Sequence, residues 1–589
     1  MEDMNIKQKI IERVKSVVDI DLDICVSISE NSSRGDYTSN IAMRYAKQLN
    51  RNAVDLANEI CEKLKNDKIF SKVEVVSPGF INFWLSDEFL IDNLDEVITQ
   101  GNSYGRVDFG KGKTWLIEHT SPNPNKAMHI GHLRNNVFGM AIANLAEFAG
   151  FKVIRDAVDN NRGIAIAKLM WGYLKFGRID GNHIEDVTYW VDHVDEWLTP
   201  ENANKRPDRF MDEFYIKGSS DFSENKEVEI KVRNMVVLWE QEDKPIWKLW
   251  EKVLNYVHEG QALTLQRLGS RWDHVWHEHE HYKEGKNMVE LGLKKGIFVK
   301  SDGAVITQLK KYGIPDTVIE KSDGTSLYIT QDIALTKKKI DTFKGDKLHW
   351  VVGPDQTLAL KQVFAVCEQF GIINVDQCVH LSYGYMSIKG SGKMSSRLGN
   401  VLYIDDLLDL VAGKVFEQIK NTEVSLDEKK TIAEKIGISA VKYSILKVGR
   451  TTDMQFSFDE DLSFEGNSGP YLMYSYVRCK NILSKIENNS DIKISVDKSK
   501  LSEYEILLLR KLIVFDEVIV SAVNGYSPNL LCSYLFELSK LFSSFYEKVP
   551  VIHEKDNELK LFRLSLVDSV SQVLKNGMKL LGMEIVEKM

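Results

Sequence analysis

The sequence has 589 residues, of which 43% are hydrophobic and 27% are charged, and its net charge is -9. These values are typical of a soluble globular protein, and the length predicts about three or four domains. We expect neither a membrane-spanning segment nor a signal peptide, because no apolar run reaches bilayer length and the first residues are acidic. The negative charge argues against a generally basic nucleic-acid binder, although basic groups confined to one region could still bind RNA. Six scattered cysteines without a C-x-x-C spacing predict reduced thiols in a cytoplasmic protein.

Residues 1–105 are predicted to form a small α/β domain. Helical periodicity is present at residues 6–18 and twice within residues 41–64. Residues 72–76 and 80–85 are predicted strands around a Ser-Pro-Gly turn. Aromatic side chains in the second strand could stack on RNA bases, but aromatic residues in such strands are more often part of the core.

A Pro- and Asn-rich loop at residues 121–128 separates a predicted strand (114–118) from a predicted helix (133–148). His129 and His132 are three residues apart, so on the first turn of a helix they face the same way. Gly131 leaves room for a ligand to approach the backbone, and a helix N-terminus favours phosphate. Together with Lys126, the pair predicts a site for nucleotide phosphates. The alternative is a pair of surface histidines on an ordinary helix.

Residues 111–180 follow the β-α-β order of a parallel sheet, with a second strand predicted at 152–156. Residues 181–290 break this alternation and are predicted to be a helical insertion. Within the insertion, alternating histidines at residues 274–281 suggest a metal site, but no cysteine lies near them, and we predict no metal there. Residues 291–400 resume the alternation with a hairpin at 296–306, a strand at 349–353 and another at 378–388. The strand ends are expected to converge on one crevice.

The segment at residues 389–400 is rich in Gly, Ser and basic residues, which predicts a mobile loop. Lys393 in such a loop could close over a triphosphate as charge moves onto pyrophosphate. A solvated basic turn is the alternative. From residue 405 onward the pattern is almost entirely helical, and its aromatic stripes are typical of a helical core.

The His-Ile-Gly-His sequence at 129–132 and the Lys-Met-Ser-Ser sequence at 393–396 together resemble the two signatures of class I aminoacyl-tRNA synthetases. The flanking residues are similar to the arginyl-tRNA synthetase branch, and the resemblance extends over nearly the whole chain. It implies a multidomain α/β protein with a Rossmann-like catalytic domain. The implied domains are an N-terminal domain that contacts the tRNA elbow (1–105), the catalytic domain (111–404, with the helical insertion at 181–290) and an α-helical anticodon-binding domain (405–589).

The resemblance also implies an activity and its site residues. Arginine would be activated by ATP, with Mg²⁺ bridging phosphate oxygens, and would then be transferred to the 3′ end of tRNA(Arg) by a cytoplasmic monomer. The implied catalytic residues are Lys126, His129, His132 and Lys393, and these four also bind ATP together with Gly131 and Ser396. The implied arginine-binding residues are Glu118, Asn123, Tyr328, Asp332 and Gln356. The implied tRNA-binding residues are Phe80, Asn82, Phe83, Tyr474 and Arg478.

This sequence departs from the family pattern in two places. Ser396 stands where the second motif usually has its second lysine, so Lys126 would have to supply the missing positive charge. Gln331 stands where relatives often have arginine, so the resemblance does not define the role of this neighbour of Asp332. An ion pair within the fold is the alternative role for Glu118.

Three other functions were weighed. A class I synthetase of other specificity, such as cysteinyl, would need a zinc-binding Cys/His set that these cysteines do not provide. A non-catalytic RNA-binding scaffold would not need His129, His132 and Lys393. A small nucleotidyltransferase with the same histidine motif would not account for the long helical C-terminal region.

Overall fold

A computed structural model of the chain describes residues 6–18, 23–29, 34–322, 328–390, 402–485 and 496–589. These residues form two compact units. One comprises residues 1–109, 418–447 and 459–589, and the other comprises residues 110–417 and 448–458. Within the described ranges, no helix combines the length and apolar character that crossing a membrane requires.

The N-terminal region is an antiparallel sheet of strand order β1-β2-β4-β3 with four helices, of which the sequence pattern predicts the last two strands and the first three helices. Asn52 and Ser86 start two of the helices because their side chains accept hydrogen bonds from backbone N–H groups of the first turn. The elements are α1 (Ile6–Val17), β1 (Val26–Ile28), β2 (Tyr37–Ser39), α2 (Ile41–Tyr45), α3 (Ala53–Leu64), β3 (Phe70–Val76), β4 (Phe80–Leu85) and α4 (Asp87–Gln100).

The unit formed by residues 110–417 and 448–458 begins with the β-α-β arrangement predicted from the sequence. Its elements are β5 (Thr114–Glu118), α5 (Ile130–Phe148), β6 (Lys152–Asp159) and α6 (Ile164–Phe176). The strand β5 is buried over most of its length, which explains its apolar sequence, since parallel strands are covered on both faces. The predicted insertion then follows as α7 (Val187–Asp192), α8 (Pro207–Glu224), α9 (Lys226–Glu240) and α10 (Lys244–Arg267).

After the insertion the chain returns to the sheet and completes it. The elements are β7 (His274–His277), α11 (Tyr282–Lys294), β8 (Val299–Ser301), β9 (Ala304–Ile306), β10 (Val318–Glu320), α12 (Tyr328–Phe343), β11 (Lys347–Trp350), α13 (Thr357–Gln369), β12 (Cys378–His380), β13 (Met386–Ile388) and α14 (Ile404–Ile419). The main sheet has strand order β12-β11-β5-β6-β7, and all neighbouring strands are parallel. The carboxyl ends of its strands therefore lie along one edge, which is where open α/β sheets bind ligands.

The prediction of one strand over residues 378–388 is wrong. The chain leaves β12 after His380, and β13 pairs instead with β14 (Met454–Phe456) in a separate two-stranded sheet. Gly384 lies at the break because a Cβ there would be 2.5 Å from the carbonyl oxygen of Thr452. The apolar pattern is continuous across the two strands, so it does not reveal that the chain changes sheets.

The remaining elements are helices, as predicted for the C-terminal region. They are α15 (Leu426–Leu446), α16 (Phe458–Asp461), α17 (Gly469–Leu483), α18 (Glu503–Leu512), α19 (Phe515–Asn524), α20 (Pro528–Lys548) and α21 (Asn557–Leu580). In the unit formed by residues 1–109, 418–447 and 459–589, helices of the C-terminal region contact the N-terminal region. The Tyr37 hydroxyl donates to the buried Glu517 carboxylate at 2.6 Å, and Arg510 forms an ion pair with Asp36 at 3.0 Å. The sequence did not indicate this attachment.

Candidate active site

His129 and His132 fix each other at the start of α5. The Nδ1 atom of His129 accepts a hydrogen bond from the N–H of Gly131 at 3.1 Å, and Nδ1 of His132 accepts from the N–H of His129 at 3.2 Å. The two rings lie 4.1 Å apart between centroids. Because each Nδ1 is an acceptor, a neutral ring carries its proton on Nε2. The pair therefore offers two N–H donors in a fixed geometry.

Burial lowers the pKa of both histidines, to about 4 for His129 and about 3 for His132, and the nearby positive charge of Lys126 adds to the effect. Both rings are thus neutral at physiological pH. Gly131 permits this arrangement, since a Cβ there would lie 2.9 Å from Cε1 of His129. The sequence interpretation gave that space to a ligand, whereas the structure gives it to the His129 ring.

The loop between β5 and α5 is attached at several points. The Oγ atom of Ser121 accepts a hydrogen bond from the N–H of Val158 at 2.9 Å, beside the end of β6. Nε2 of Gln261, on α10, donates to the carbonyl oxygens of Lys126 at 2.9 Å and Asn123 at 3.3 Å. The Asn123 side chain is exposed and the Lys126 side chain partly so. Both remain accessible to a ligand at the sheet edge.

The second predicted phosphate-binding segment lies outside the described residues, and with it Lys393 and Ser396. The described residues that follow this segment in sequence form hydrogen bonds with the chain around His129. The N–H of Ile130 donates to the carbonyl oxygen of Leu402 at 3.1 Å, and the N–H of Ile404 donates to that of Met128 at 3.1 Å. Residues 402–404, which follow the segment in sequence, are therefore adjacent to His129 and its neighbours.

Arg134 connects α5 to the two chain segments that lead into β13 and β14. Its buried guanidinium donates hydrogen bonds to the carbonyl oxygens of Tyr385, Gly449, Arg450 and Thr452 at 2.7–3.3 Å. A charged donor with four backbone acceptors fixes the helix that carries the histidines relative to β13 and β14. The sequence analysis missed this role, because an arginine in a helix gives no local signal of distant carbonyl partners.

Glu118 is paired with a lysine that the sequence analysis did not identify. Nζ of Lys339, a residue only 2% exposed, lies 2.6 Å from the Glu118 carboxylate and 2.6 Å from the Asp156 carboxylate. Burial raises the pKa of Glu118, the Lys339 charge opposes this, and the Asp156 charge adds to it. The structure thus gives Glu118 the ion pair that was the alternative to an arginine contact.

Asp332 lies close to this ion pair at the start of α12. Its residue surface is accessible to solvent, although the protein around the carboxyl group partly desolvates it. Burial, followed by the negative charge of Glu118, raises the pKa of Asp332 to about 7, and Glu278 also contributes. Glu278 is buried 3.6 Å from the Arg162 guanidinium. The four carboxylates Glu118, Asp156, Glu278 and Asp332 thus exceed the two cations that pair with them.

The other predicted arginine contacts lie around the same edge to different extents. Gln356 is exposed in the turn before α13, which follows β11. Asn123 follows β5, and its Oδ1 lies 3.5 Å from Nδ2 of Asn160 beyond β6. Tyr328 begins α12, but its side chain lies outside the described residues. Asn123 and Gln356 therefore follow the carboxyl ends of two central strands, β5 and β11.

The histidine tract at residues 274–281 is part of a hydrogen-bonded cluster. His277 and His258 both bond the carboxylate of Asp159, at 2.8 and 3.2 Å, and these bonds outweigh burial and lower the pKa of Asp159 to about 2. His279 bonds the Asn161 side chain at 2.8 Å. In the part of the chain that the structure describes, no group of three or more His, Cys, Asp or Glu side chains has a metal-binding arrangement. The cluster borders a cavity of about 240 Å³ between α10 and the sheet.

The predicted tRNA-binding residues differ in exposure. Phe83 is fully buried against Phe70, with ring centroids 5.2 Å apart, and Asn82 is 4% exposed. Their burial argues against the predicted RNA contact, because neither presents a surface to a base. Phe80 is 38% exposed and Tyr474 is 40% exposed. Arg478 donates to the Tyr474 hydroxyl at 2.7 Å and lies over the ring of Tyr546, which is also exposed.

Comparisons with known proteins agree across the chain. Residues 93–458 match the family model for tRNA synthetases class I (R), catalytic domain, and residues 4–85 match the arginyl tRNA synthetase N terminal domain. Residues 472–589 match the DALR anticodon binding domain. The arginine–tRNA ligase of Flavobacterium psychrophilum is 32% identical over 562 residues, covering 91% of this chain and 90% of that protein. The arginine–tRNA ligase of Clostridium acetobutylicum is 31% identical over 592 residues, covering all of both chains.

Solved structures support the same fold. The arginyl-tRNA synthetase of Thermus thermophilus superposes with a TM-score of 0.77 at 21% identity, covering 99% of this chain and 100% of that one. The arginyl-tRNA synthetase of Plasmodium falciparum superposes with a TM-score of 0.77 at 20% identity, covering 99% of both chains. The sequence resemblance and the fold class predicted from it are confirmed. The chain belongs to the arginyl-tRNA synthetase family of class I tRNA synthetases.

Proposed function

We propose that the chain is an arginine–tRNA ligase whose reaction takes place at the carboxyl edge of the five-stranded sheet. Arginine is first activated by ATP, and the arginyl group is then transferred to the 3′ end of tRNA(Arg). The observation that carries the proposal is the excess of carboxylates around Asp332 and Glu118 at the end of β5, together with a histidine pair at the start of α5 that suits phosphates. One region attracts a cationic side chain and the other attracts a polyphosphate.

The guanidinium of arginine is planar and permanently charged, so it favours paired carboxylate partners in a desolvated cleft. In our proposal Asp332 is its principal partner, because Glu118 already neutralises Lys339. Glu118 then acts through its negative charge and its ion pair with Lys339. Tyr328 and Gln356 donate or accept further hydrogen bonds, and Asn123 faces the amino-acid backbone. A raised pKa for the free Asp332 carboxyl is what a site awaiting a cation should show.

ATP binds in this proposal with its phosphates against Lys126, Gly131 and the Nε2–H groups of His129 and His132. Lys393 and Ser396 approach the same phosphates from the second motif. An oxygen of the arginine carboxylate attacks the α-phosphorus as the bond to pyrophosphate breaks, which gives arginyl-adenylate. A ribose hydroxyl of the tRNA then attacks the activated carbonyl carbon, and AMP leaves. No covalent enzyme intermediate is needed, since positioning and charge stabilisation carry the catalysis.

Mg²⁺ is expected to enter with ATP. Lys126, His129 and His132 present nitrogen groups that suit phosphate oxygens better than a hard cation, and the nearby Asp212 carboxylate already accepts a hydrogen bond from the Tyr403 hydroxyl. The donor set therefore fits a Mg²⁺ ion that keeps water and phosphate ligands, with the protein binding the phosphates. The ion would reduce the negative charge on the triphosphate while pyrophosphate departs.

We propose that tRNA contacts the exposed members of the predicted set, Phe80, Tyr474 and Arg478. The aromatic faces suit unpaired bases, and an arginine over an aromatic ring adds a positive charge. We retain the domain division of 1–105, 111–404 and 405–589 as a proposal, and we propose that the protein acts as a cytoplasmic monomer. Free cysteines, including the exposed Cys25, are consistent with a reducing compartment.

Aminoacylation with purified components tests the function. The enzyme is incubated with total tRNA, ATP, Mg²⁺ and one radiolabelled amino acid at a time. Arginine should be attached to tRNA at least about 10³-fold more efficiently than lysine, since lysine lacks the planar paired donors. Equal charging by lysine, or charging by cysteine instead, would refute the assignment.

A further inference from the structure

Thr120 lies where the chain leaves β5, and its backbone has a φ of +58°. This left-handed conformation is unfavourable for residues with a Cβ, and most of all for β-branched ones. Four other non-glycine residues in the described part of the catalytic unit have positive φ, and all are exposed polar or charged residues in turns: Asn204, Glu242, Asp302 and Lys344. Thr120, by contrast, is β-branched and 3% exposed. Its conformation is therefore maintained by its surroundings.

Those surroundings belong largely to α5, the helix that carries the two histidines. Oδ1 of Asn135 accepts the N–H of Thr120 at 2.8 Å. Nδ2 of Asn136 donates to its hydroxyl at 3.2 Å, and Nδ1 of His119 lies 2.8 Å from the same hydroxyl. The helix comes this close because residue 139 is glycine, where a Cβ would lie 2.4 Å from Cβ of His119.

Asn135 also reaches the neighbouring strand. Its Nδ2 donates to the carbonyl oxygen of Val351, the residue after β11, at 2.7 Å. One side chain thus links the ends of β5 and β11 across the sheet edge. After Thr120 the chain turns so that Oγ of Ser121 meets the N–H of Val158 beside β6. An extended φ at Thr120 would direct the chain along the line of β5 and remove residues 121–126 from this position.

We propose that Thr120 is a positioning residue: its left-handed backbone, held by Asn135, directs the loop that carries Asn123 and Lys126 over the reacting groups. The inference rests on the proposed function and adds to it a determinant of the activation rate. The hydrogen bonds from the Thr120 N–H to Asn135 and from Asn136 to the Thr120 hydroxyl hold the residue in this strained conformation, so the loop keeps a fixed position relative to the histidines. Thr120 itself acts through the loop and not by touching substrate.

The test compares two variants that both lack the hydroxyl. Glycine adopts a φ of +58° freely, whereas valine is β-branched and disfavours it. Thr120→Val should lower the rate constant of adenylate formation by roughly tenfold, which corresponds to about 1.4 kcal/mol, because valine is as strained here as threonine and lacks the hydroxyl whose hydrogen bonds hold the residue in place. Thr120→Gly should stay within about threefold of wild type. The readout is arginine-dependent ATP–pyrophosphate exchange with tRNA present, with kcat and the KM for tRNA measured separately; the KM for tRNA should not change.

Asn135 provides an independent arm. Asn135→Ala should lower kcat by about tenfold, and the double variant Thr120→Gly/Asn135→Ala should recover most of it, because glycine no longer needs to be held. Lys344→Gly is the matched control, since it removes an exposed left-handed residue of the same unit and should leave kcat unchanged. Urea unfolding measures stability for every variant. If Thr120→Val does not fold, the Asn135→Ala pair gives the same comparison.

Two results would overturn the inference. One is an equal loss in Thr120→Gly and Thr120→Val, which would assign the role to the hydroxyl and not to the backbone conformation. The other is a double variant no faster than Asn135→Ala. A wild-type enzyme without arginine-dependent exchange in the presence of tRNA would instead refute the proposed function, so the two failures are distinguishable.

Discussion

Asp332 gives the proposal its most direct chemical prediction, because its pKa is raised to about 7 by burial and by the charge of Glu118. A guanidinium binds the ionised form of a carboxyl group. In any protein molecule in which Asp332 is protonated, it must therefore lose its proton when arginine binds. The ionised fraction falls from about 0.9 at pH 8 to about 0.1 at pH 6 for a group with this pKa. The KM for arginine should therefore rise by about tenfold between pH 8 and pH 6. The KM for ATP should change much less over the same range.

Replacing Asp332 with asparagine keeps the shape and removes the charge. Losing a charged partner in a desolvated site costs about 2–3 kcal/mol, so kcat/KM for arginine should fall by about 30- to 150-fold. The remaining activity should lose the pH dependence of the KM for arginine. Steady-state aminoacylation at pH 6, 7 and 8 measures both effects. An Asp332→Asn enzyme that retains the tenfold change, or loses affinity for ATP and arginine in parallel, would refute the reasoning.

The same shift has a consequence for stability. A carboxyl whose folded-state pKa is raised above its unfolded value contributes stability at low pH that is lost as the pH rises through the folded-state pKa. The folded protein without arginine is therefore penalised by ionised Asp332 above about pH 7. Asp332→Asn should be more stable than wild type towards urea at pH 8, and the difference should shrink towards pH 5. A variant less stable than wild type at pH 8 would contradict this sign.

The remaining predictions concern the other parts of the site. His132→Ala should fold normally and form adenylate about 10²–10³-fold more slowly, and wild-type activity in that variant would remove it from the phosphate site. Because the pKa values of His129 and His132 are about 4 and 3, kcat/KM for ATP should show no histidine titration near pH 6.5; a titration there would contradict the neutral pair. Glu118→Gln should change the free energy of unfolding by no more than about 1 kcal/mol, since Asp156 still pairs with Lys339 and the glutamine oxygen can still accept from its Nζ, whereas a loss of several kcal/mol would show that the Glu118 charge is needed to neutralise Lys339. Finally, pyrophosphate exchange should be weak without tRNA and increase when tRNA(Arg) is added, and full exchange by RNA-free enzyme would show that Lys126 suffices despite Ser396 in the second motif.

The sequence predicted the elements well where one periodicity dominates. The apolar run of β5 is a local signal, and the structure follows it. The histidine pair was also placed correctly at the start of α5, because its helical spacing and the preceding prolines are local features. The break within residues 378–388 was missed because the pattern of hydrophobicity does not encode which sheet a strand joins.

The contacts that define the site depend on residues distant in sequence. Lys339 lies 221 positions from Glu118, and the charge of one could not predict the other as its partner. Gln261, Asn135 and Arg134 bond backbone carbonyls or N–H groups, which carry no sequence signal. Phe83 is different, because Ile81, Phe83 and Leu85 alternate along β4 and are all fully buried. That alternation predicts a core position, and it outweighs the stacking role inferred from aromatic character.

Competition for the arginine site tests the central claim most directly. Isothermal titration of the enzyme with arginine, lysine and citrulline, in the presence of a non-hydrolysable ATP analogue and tRNA, measures whether the cleft selects the charged guanidinium. When the arginine guanidinium binds, the Asp332 carboxyl should release its proton, and this release should be larger at pH 6.5 than at pH 8. Titrations in buffers of different ionisation enthalpy measure the number of protons released. Citrulline, which has the shape without the charge, should bind at least about 30-fold more weakly. Citrulline binding as tightly as arginine, or arginine binding without proton release at pH 6.5, would contradict the account.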